Sequence, residues 1–348
     1  MDLGLFFEFY RRPGTSEAEA FEEAFSQIEM AEELGLDSIW LAEHHFSPER
    51  SVLSAPLMIA NAIANRTKRI RIGTAVEVLP LGNPIRLAEE VATLDHICQG
   101  RFEFGIGRSG SPRGYIGYNI PYTESRARFY ESLEIIQKAW TQESFSHKGE
   151  FYQYDDVCVV PKPLQKPHPP IRNAATSAIT FSISAKMGLP IFIGVRGRSD
   201  LLKERLDIYR QGWKEAGQQG DPDISLRIPV YIAETMEKAQ AEPKASTLNF
   251  FKNVVANLNE PLPGLSDEEN QERVARGERM KNITYEEILQ TDTVYGTPEF
   301  ATERLLELQE TFGLSTVIAE VTFGGLIPRD RLENSIRLFA EKVAPKLK

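Results

Sequence analysis

Cysteine is nearly missing from this chain: 348 residues hold two, Cys98 and Cys158. Neither has a CxxC partner, so a disulfide-stapled secreted fold and a cysteine-based zinc site are excluded. Reduced thiols in a cytoplasmic protein are expected instead. Histidine is also scarce, with five residues. Long apolar runs are lacking: no segment approaches the roughly 20 residues of a membrane span. The start, "MDLGLFFEFYRRPG", has acids at Asp2 and Glu8 and arginines behind a short apolar run, which is not a signal-peptide pattern. Positive charge is in deficit, with 40 Lys and Arg against 50 Asp and Glu, a net charge of −10. That balance argues against a nucleic-acid or anionic-membrane surface, but leaves room for a local basic spot that holds a small anion. No GxGxxG opens a helix, so no dinucleotide fingerprint is present. Internal repeats and low-complexity tracts are absent as well.

What is present is alternation. Short β-type runs at 3–9, 38–42, 70–76, 102–107, 169–175, 190–194, 225–233 and 316–321 are each followed by an amphipathic segment. Those helical segments fall near 17–34, 54–65, 85–97, 124–141, 177–187, 199–216, 236–256 and 329–343. Repetition of one strand–helix unit predicts an α/β protein of one domain, a closed (β/α)8 TIM barrel, with a doubly wound open sheet as the alternative. Two stretches break the repeat. Residues 142–168 read as a β-hairpin inserted before the fifth strand. Residues 257–297, rich in Pro, Gly, Asn and charge, read as a long functional or disordered loop before the last strand.

A parallel barrel carries its chemistry at the C-terminal ends of its strands. Strand two ends in Glu43, His44 and His45; strand three in Ala75, Val76 and Glu77. Strand four ends in Gly105, Gly107, Arg108, Ser109 and Gly110, and strand five in Asn173, Ala174, Ala175, Thr176, Ser177 and Thr180. "NAATSA" opens a helix, so its hydroxyls serve either as a plain cap or as part of an anion site with Arg108. "RSGSPRG" (108–114) is either a flexible loop or part of the same site. Adjacent strand residues point to opposite faces. One histidine of "EHHF" therefore faces the mouth as an acid–base candidate, and the other faces the helix layer or a partner subunit. A metal is not expected, because the pair lacks helical i,i+4 spacing and no further His or Cys ends a strand.

Three separated stretches, "GLDSIWLAEHHF" (35–46), "RIRIGTAVEVLPLGNPIRLAEEVATLDHICQGRFEFGIGR" (69–108) and "YGTPEFATERLLEL" (295–308), resemble the bacterial luciferase family of flavin-dependent monooxygenases. "EHHF" is similar to the luciferase catalytic subunit in particular. The resemblance implies a (β/α)8 barrel that binds reduced FMN at the rim just described. By the same resemblance His44 is the catalytic histidine, and Glu43 lies beside the flavin. Ala75 and Val76 are joined by a cis peptide under the isoalloxazine. Gly107 stands where luciferase has a reactive cysteine, which implies added space beside the flavin. Arg108, Ala175, Thr176, Ser177 and Thr180 surround the phosphate, with Thr176 replacing an acid.

The implied activity is FMNH2-dependent monooxygenation. O2 is used through a flavin hydroperoxide, and a separate flavin reductase supplies the reduced FMN. The substrate is an aldehyde, ketone or similar small organic molecule. A deazaflavin-dependent dehydrogenase and a non-catalytic flavin-binding relative are the alternatives. The loop 109–117 has no acid where light emission uses one. Residues 257–297 become a lid, with Arg273, Arg276, Arg279 and Lys281 facing the cofactor. The family also implies a homodimer through the second and third helices. Leu87, Val91, Leu94 and Ile97 cover the barrel, Glu89, Glu90 and Asp95 take other faces, and His45 packs in the interface against Glu89 or Glu90.

Overall fold

The computed structural model describes residues 1–194, 199–259 and 267–348. Eight parallel strands follow the chain: β1 (Asp2–Phe7), β2 (Ser38–Leu41), β3 (Arg71–Thr74), β4 (Phe102–Gly107), β5 (Ile171–Ala174), β6 (Ile191–Gly194), β7 (Ile224–Ile232) and β8 (Thr316–Glu320). Each pairs with the next, and β8 returns to β1 with Asp2 opposite Thr316. That last pairing closes the sheet into a (β/α)8 barrel and rules out the open doubly wound sheet.

The helices are started by local chemistry. Ser16 and Glu19 form a reciprocal capping box at Glu17–Glu33. Asn83 caps Pro84–Ile97 through the amides of Ile85 and Arg86. Leu87, Val91 and Leu94 are buried on that helix, whereas Ile97, expected to cover the barrel, is 43% exposed. Ile97 is the last residue of the helix, which ends in a hydrogen-bonded cap at Cys98. Asp95, expected among the outer acids, is instead fully buried and accepts from the amide and side chain of Gln165.

Two departures concern helices. The expected 236–256 helix is two, Met236–Ala241 and Lys244–Asn259, because Pro243 cannot donate to a continuing ladder. The expected loop at 257–297 carries helices Asp267–Asn282 and Tyr285–Thr291 and a short strand Val294–Gly296 on β7. Residues 260–266 of that stretch lie outside the described residues. Helix Pro298–Phe312, unassigned by the periodicity, begins at the Thr297 cap and stops at left-handed Gly313. Between Ser125–Thr141 and β5, Phe145–Lys148 and Gln153–Val157 pair antiparallel.

Inside the barrel, an aromatic layer of Phe6, Trp40 and Phe192 with Ile318 fills the middle. Gly73 leaves room for it: a Cβ there would sit 2.2 Å from the Trp40 ring. Polar clusters lie on either side. Near the strand starts, Arg172 reaches Asp223 at 2.7 Å and Glu103 at 3.3 Å. Near the strand ends, Arg227 lies 3.6 Å over the Phe6 ring and pairs with Glu320. The aromatic layer thus divides a structural floor from the mouth, where barrel chemistry sits.

Candidate active site at the barrel mouth

β2 ends at buried Leu41, and the chain then passes buried Ala42 and crosses the rim through Glu43, His44 and His45. His44 continues the inward-facing alternation of Trp40 and Ala42. Its side chain is 19% exposed, and its Nε2 lies 3.1 Å from Glu8 Oε1. Glu8 follows β1 and is wholly buried. Arg50 donates to its two oxygens from Nη2 at 2.6 Å and Nε at 3.1 Å, and Arg227 donates at 3.1 Å. Arg227 also grips Glu320 with two bonds, of 2.9 and 2.7 Å. Burial alone would raise the Glu8 carboxyl, but Arg50, His44 and Arg227 outweigh it and hold it well below the usual range. Burial, then Arg50, pushes the His44 imidazole down, against the opposing pull of Glu8. The site therefore holds an ionised Glu8 and a neutral His44 at neutral pH.

His45 turns the other way. Its Nε2 meets Glu43 Oε1 at 2.6 Å, and its ring stands edge-on to Tyr118 at 5.0 Å. Within the chain, its own rim thus supplies these contacts, while the expected contact with Glu89 or Glu90 belongs to the dimer interface. Arg86 takes Glu90 at 2.7 Å and lies 3.9 Å from Glu89. Glu43 places its second oxygen on the Val78 amide at 2.6 Å. Its carboxylate thus ties the β2 rim to the chain after β3. Glu77 is buried beside it, and burial followed by Glu43 and Glu90 pushes the Glu77 carboxyl well up.

The Ala75–Val76 peptide is cis, and both residues pack on the aromatic layer. Gly107 does not open free space there. A Cβ at Gly107 would stand 2.5 Å from Val76 Cγ2, so the valine already fills the volume that a side chain would take. The expectation of added room beside the flavin is corrected accordingly.

Ala175 is buried, with its amide on Phe192 O at 2.9 Å. Thr176 is exposed, and its carbonyl accepts from Arg205 Nη1 at 2.5 Å. Ser177 stands at the N-cap of Ala178–Lys186, yet its hydroxyl does not cap the helix; it meets the Thr180 hydroxyl at 2.9 Å. A helix start with hydroxyls beside it and its own cap unused is a donor-rich cradle. Arg108, at the end of β4, rests Nη1 on Ser125 Oγ at 2.9 Å, and its carbonyl accepts from Tyr115. From the helix Asp267–Asn282, Arg273 donates to Gly110 O at 3.3 Å and Asn257 O at 3.1 Å. Arg276 is exposed overall. Burial at its head group, then Arg205, Arg279 and Arg273, pushes its guanidinium down. Lys281 lies 3.8 Å from Glu278.

A family model described as luciferase-like monooxygenase matches residues 1–315. The chain belongs to the luciferase-like monooxygenase family. It is an oxidoreductase of the monooxygenase class. The alkanal monooxygenase alpha chain of Photorhabdus laumondii is 26% identical over 356 residues, covering 100% of this chain and 98% of that one. The oxygenase component of a flavin-dependent trigonelline monooxygenase from Acinetobacter baylyi is 29% identical over 241 residues, covering 68% and 66%. Among solved structures, the oxygenating constituent of 3,6-diketocamphane monooxygenase from Pseudomonas putida, in complex with FMN, superposes with a TM-score of 0.82. It is 22% identical, over 99% of this chain and 98% of that one.

In this luciferase-like monooxygenase, reading strand ends two to five misses half of the mouth. Glu8 follows β1 and Glu320 ends β8, and the same reading applied to those strands finds them. Arg227 is a lone charge within "SLRIPVYIA", a signal that goes unused. Arg50 lies in a loop and leaves no trace in the pattern.

Proposed function

We propose that this luciferase-like monooxygenase takes reduced FMN as co-substrate and oxidises a small carbonyl-bearing organic molecule with O2. The observation that carries the reading is the pairing of a neutral, half-buried His44 with the Ser177–Thr180 cradle on one barrel rim. The cradle fits a phosphate: its hydroxyls and helix-start amides are donors, and Arg205 stands beside it. Ala75 and Val76, with the aromatic layer beneath, supply an apolar seat for a flat ring system. Reduced FMN, when bound, supplies the electrons that activate oxygen. The chain's own part is to grip the phosphate through Ser177, Thr180 and Arg108, seat the ring on Ala75 and Val76, and move a proton at His44. Glu43 holds that seat by tying Val78 to His45. Helix Asp267–Asn282 covers the rim through Arg273 and keeps water out.

Reduced FMN comes from a separate reductase. The absence of a dinucleotide fingerprint and the trigonelline relative's name as an oxygenase component support this. Two free cysteines, buried Cys98 and exposed Cys158, suit a reducing cytoplasm. Among the described residues no helix is long and apolar enough to cross a membrane. The test is turnover of an aldehyde and ketone panel with reduced FMN and O2, beside an anaerobic arm with reduced deazaflavin. Oxygen-dependent product in the first arm supports the proposal. Turnover in the anaerobic arm alone overturns it.

The same proposal includes a homodimer through the helices Pro56–Arg66 and Pro84–Ile97. Exposed Met58, 74% accessible, and Ile97 support an interface on this face. Glu89, loosely held by Arg86, belongs to its rim. Glu89→Lys should weaken the dimer, because it sets a new positive charge beside Arg86 at the interface rim, where like charges repel. Sedimentation at micromolar concentration checks it: an unaffected dimer, or a monomeric wild type, removes the interface from these helices.

A further inference from the structure

The proposed proton transfer at His44 leaves open which ring nitrogen is the base. The surroundings of the imidazole decide it. Nε2 faces Glu8 at 3.1 Å, and Glu8 is a buried carboxylate that also receives two bonds from Arg50 and one from Arg227. A carboxylate held ionised by two guanidinium groups accepts hydrogen bonds and offers none. Nε2 must therefore carry the proton. Nδ1 has no partner among the described residues and is not sealed from solvent, so its lone pair is free to take a proton.

We propose that Glu8 is a positioning residue that locks neutral His44 in the Nε2–H tautomer and thereby makes Nδ1 the base of the reaction. This rests on the proposed role of His44. The charged and titratable groups around the pair come from four elements. Glu8 and Tyr10 follow β1, Arg50 lies in the loop after β2, Arg227 is on β7 and Glu320 on β8. Glu320 balances Arg227 on the side away from Glu8. Glu8 and Arg50 therefore form the balanced pair nearest the ring. Reversing the tautomer would set a nitrogen lone pair against a carboxylate oxygen. The charge-assisted bond thus favours Nε2–H by more than about tenfold.

The experiment is long-range proton–nitrogen NMR of the full chain labelled at its five histidines. A His44→Asn sample identifies the His44 signals. Wild-type His44 is expected as a single Nε2–H tautomer above pH 7. In Glu8→Gln the amide can donate or accept, so a mixture of tautomers is expected. Loss of the carboxylate also lowers the imidazole's proton affinity. The acid limb of kcat/KM should then move down by about one pH unit, with kcat lower by about tenfold and FMN affinity unchanged. An Nδ1–H or mixed wild-type ring overturns the proposal with no variant needed. An unshifted Nε2–H signal in Glu8→Gln overturns it too. The NMR arm needs neither flavin nor turnover. A locked tautomer in an enzyme that fails to oxygenate would overturn the functional reading instead.

Discussion

His44→Ala is expected to lose about 10²–10⁴-fold in turnover while binding FMN as the wild type does. The fold should survive the change. Glu8 keeps Arg50 and Arg227 as donors when the imidazole goes, so no buried acceptor is orphaned. The pH dependence has a definite sign. Burial and Arg50 hold the folded imidazole below its usual value, so the neutral base is complete above that lowered value and is lost as pH falls through it. Activity should therefore be flat at neutral pH and fall only below the ordinary imidazole range. The same shift makes protonation harder in the folded chain than in the unfolded one. His44 thus withdraws stability as pH drops through that window. Steady-state rates across pH 5–8 for both proteins check this. Wild-type turnover in the alanine variant would take His44 out of the chemistry.

The second large effect lies across the mouth. Ser177→Ala combined with Thr180→Ala should weaken FMN by about ten- to 150-fold and leave riboflavin almost unchanged, because only FMN carries a phosphate. Each lost hydrogen bond to a charged group is worth roughly 1.5–3 kcal/mol, with the two hydroxyls acting partly as one unit. Arg108→Ala should discriminate in the same direction but more weakly, since Ser125 already holds its guanidinium. Fluorescence titration with both ligands distinguishes the outcomes. Equal weakening of FMN and riboflavin would place the phosphate elsewhere.

Much of this architecture is legible in the sequence. Eight apolar runs, each followed by a 3.6-residue periodicity, specify the barrel because a parallel strand and its crossover helix carry separate signatures. The rim residues His44, Arg108, Ser177 and Thr180 follow from one rule about strand ends. Three things escaped, for physical reasons. Arg50 lies in a loop and Arg227 inside a strand, so no rule about strand ends reaches them, and only barrel closure brings them onto Glu8 and Glu320. The volume at Gly107 depends on where Val76 turns, and a glycine in a sequence does not say whether its missing side chain leaves a hole or a contact. His45 pairs with Glu43 two residues earlier, through a rim bend that strand alternation does not anticipate. Asp95 is a related case. Its place on the helix suggests solvent, and Gln165 from the segment before β5 buries it.

The central claim is that His44 and the Ser177–Thr180 cradle serve one flavin-dependent oxygenation. Oxygen-18 labelling tests it most directly: purified protein, reduced FMN, a carbonyl substrate from the panel and isotopically labelled O2, with mass spectrometry of the product. The account predicts one labelled oxygen atom per product molecule, with labelled product cut by two orders of magnitude or more in His44→Ala. Product formed without label, or label incorporated equally well by His44→Ala, would contradict it.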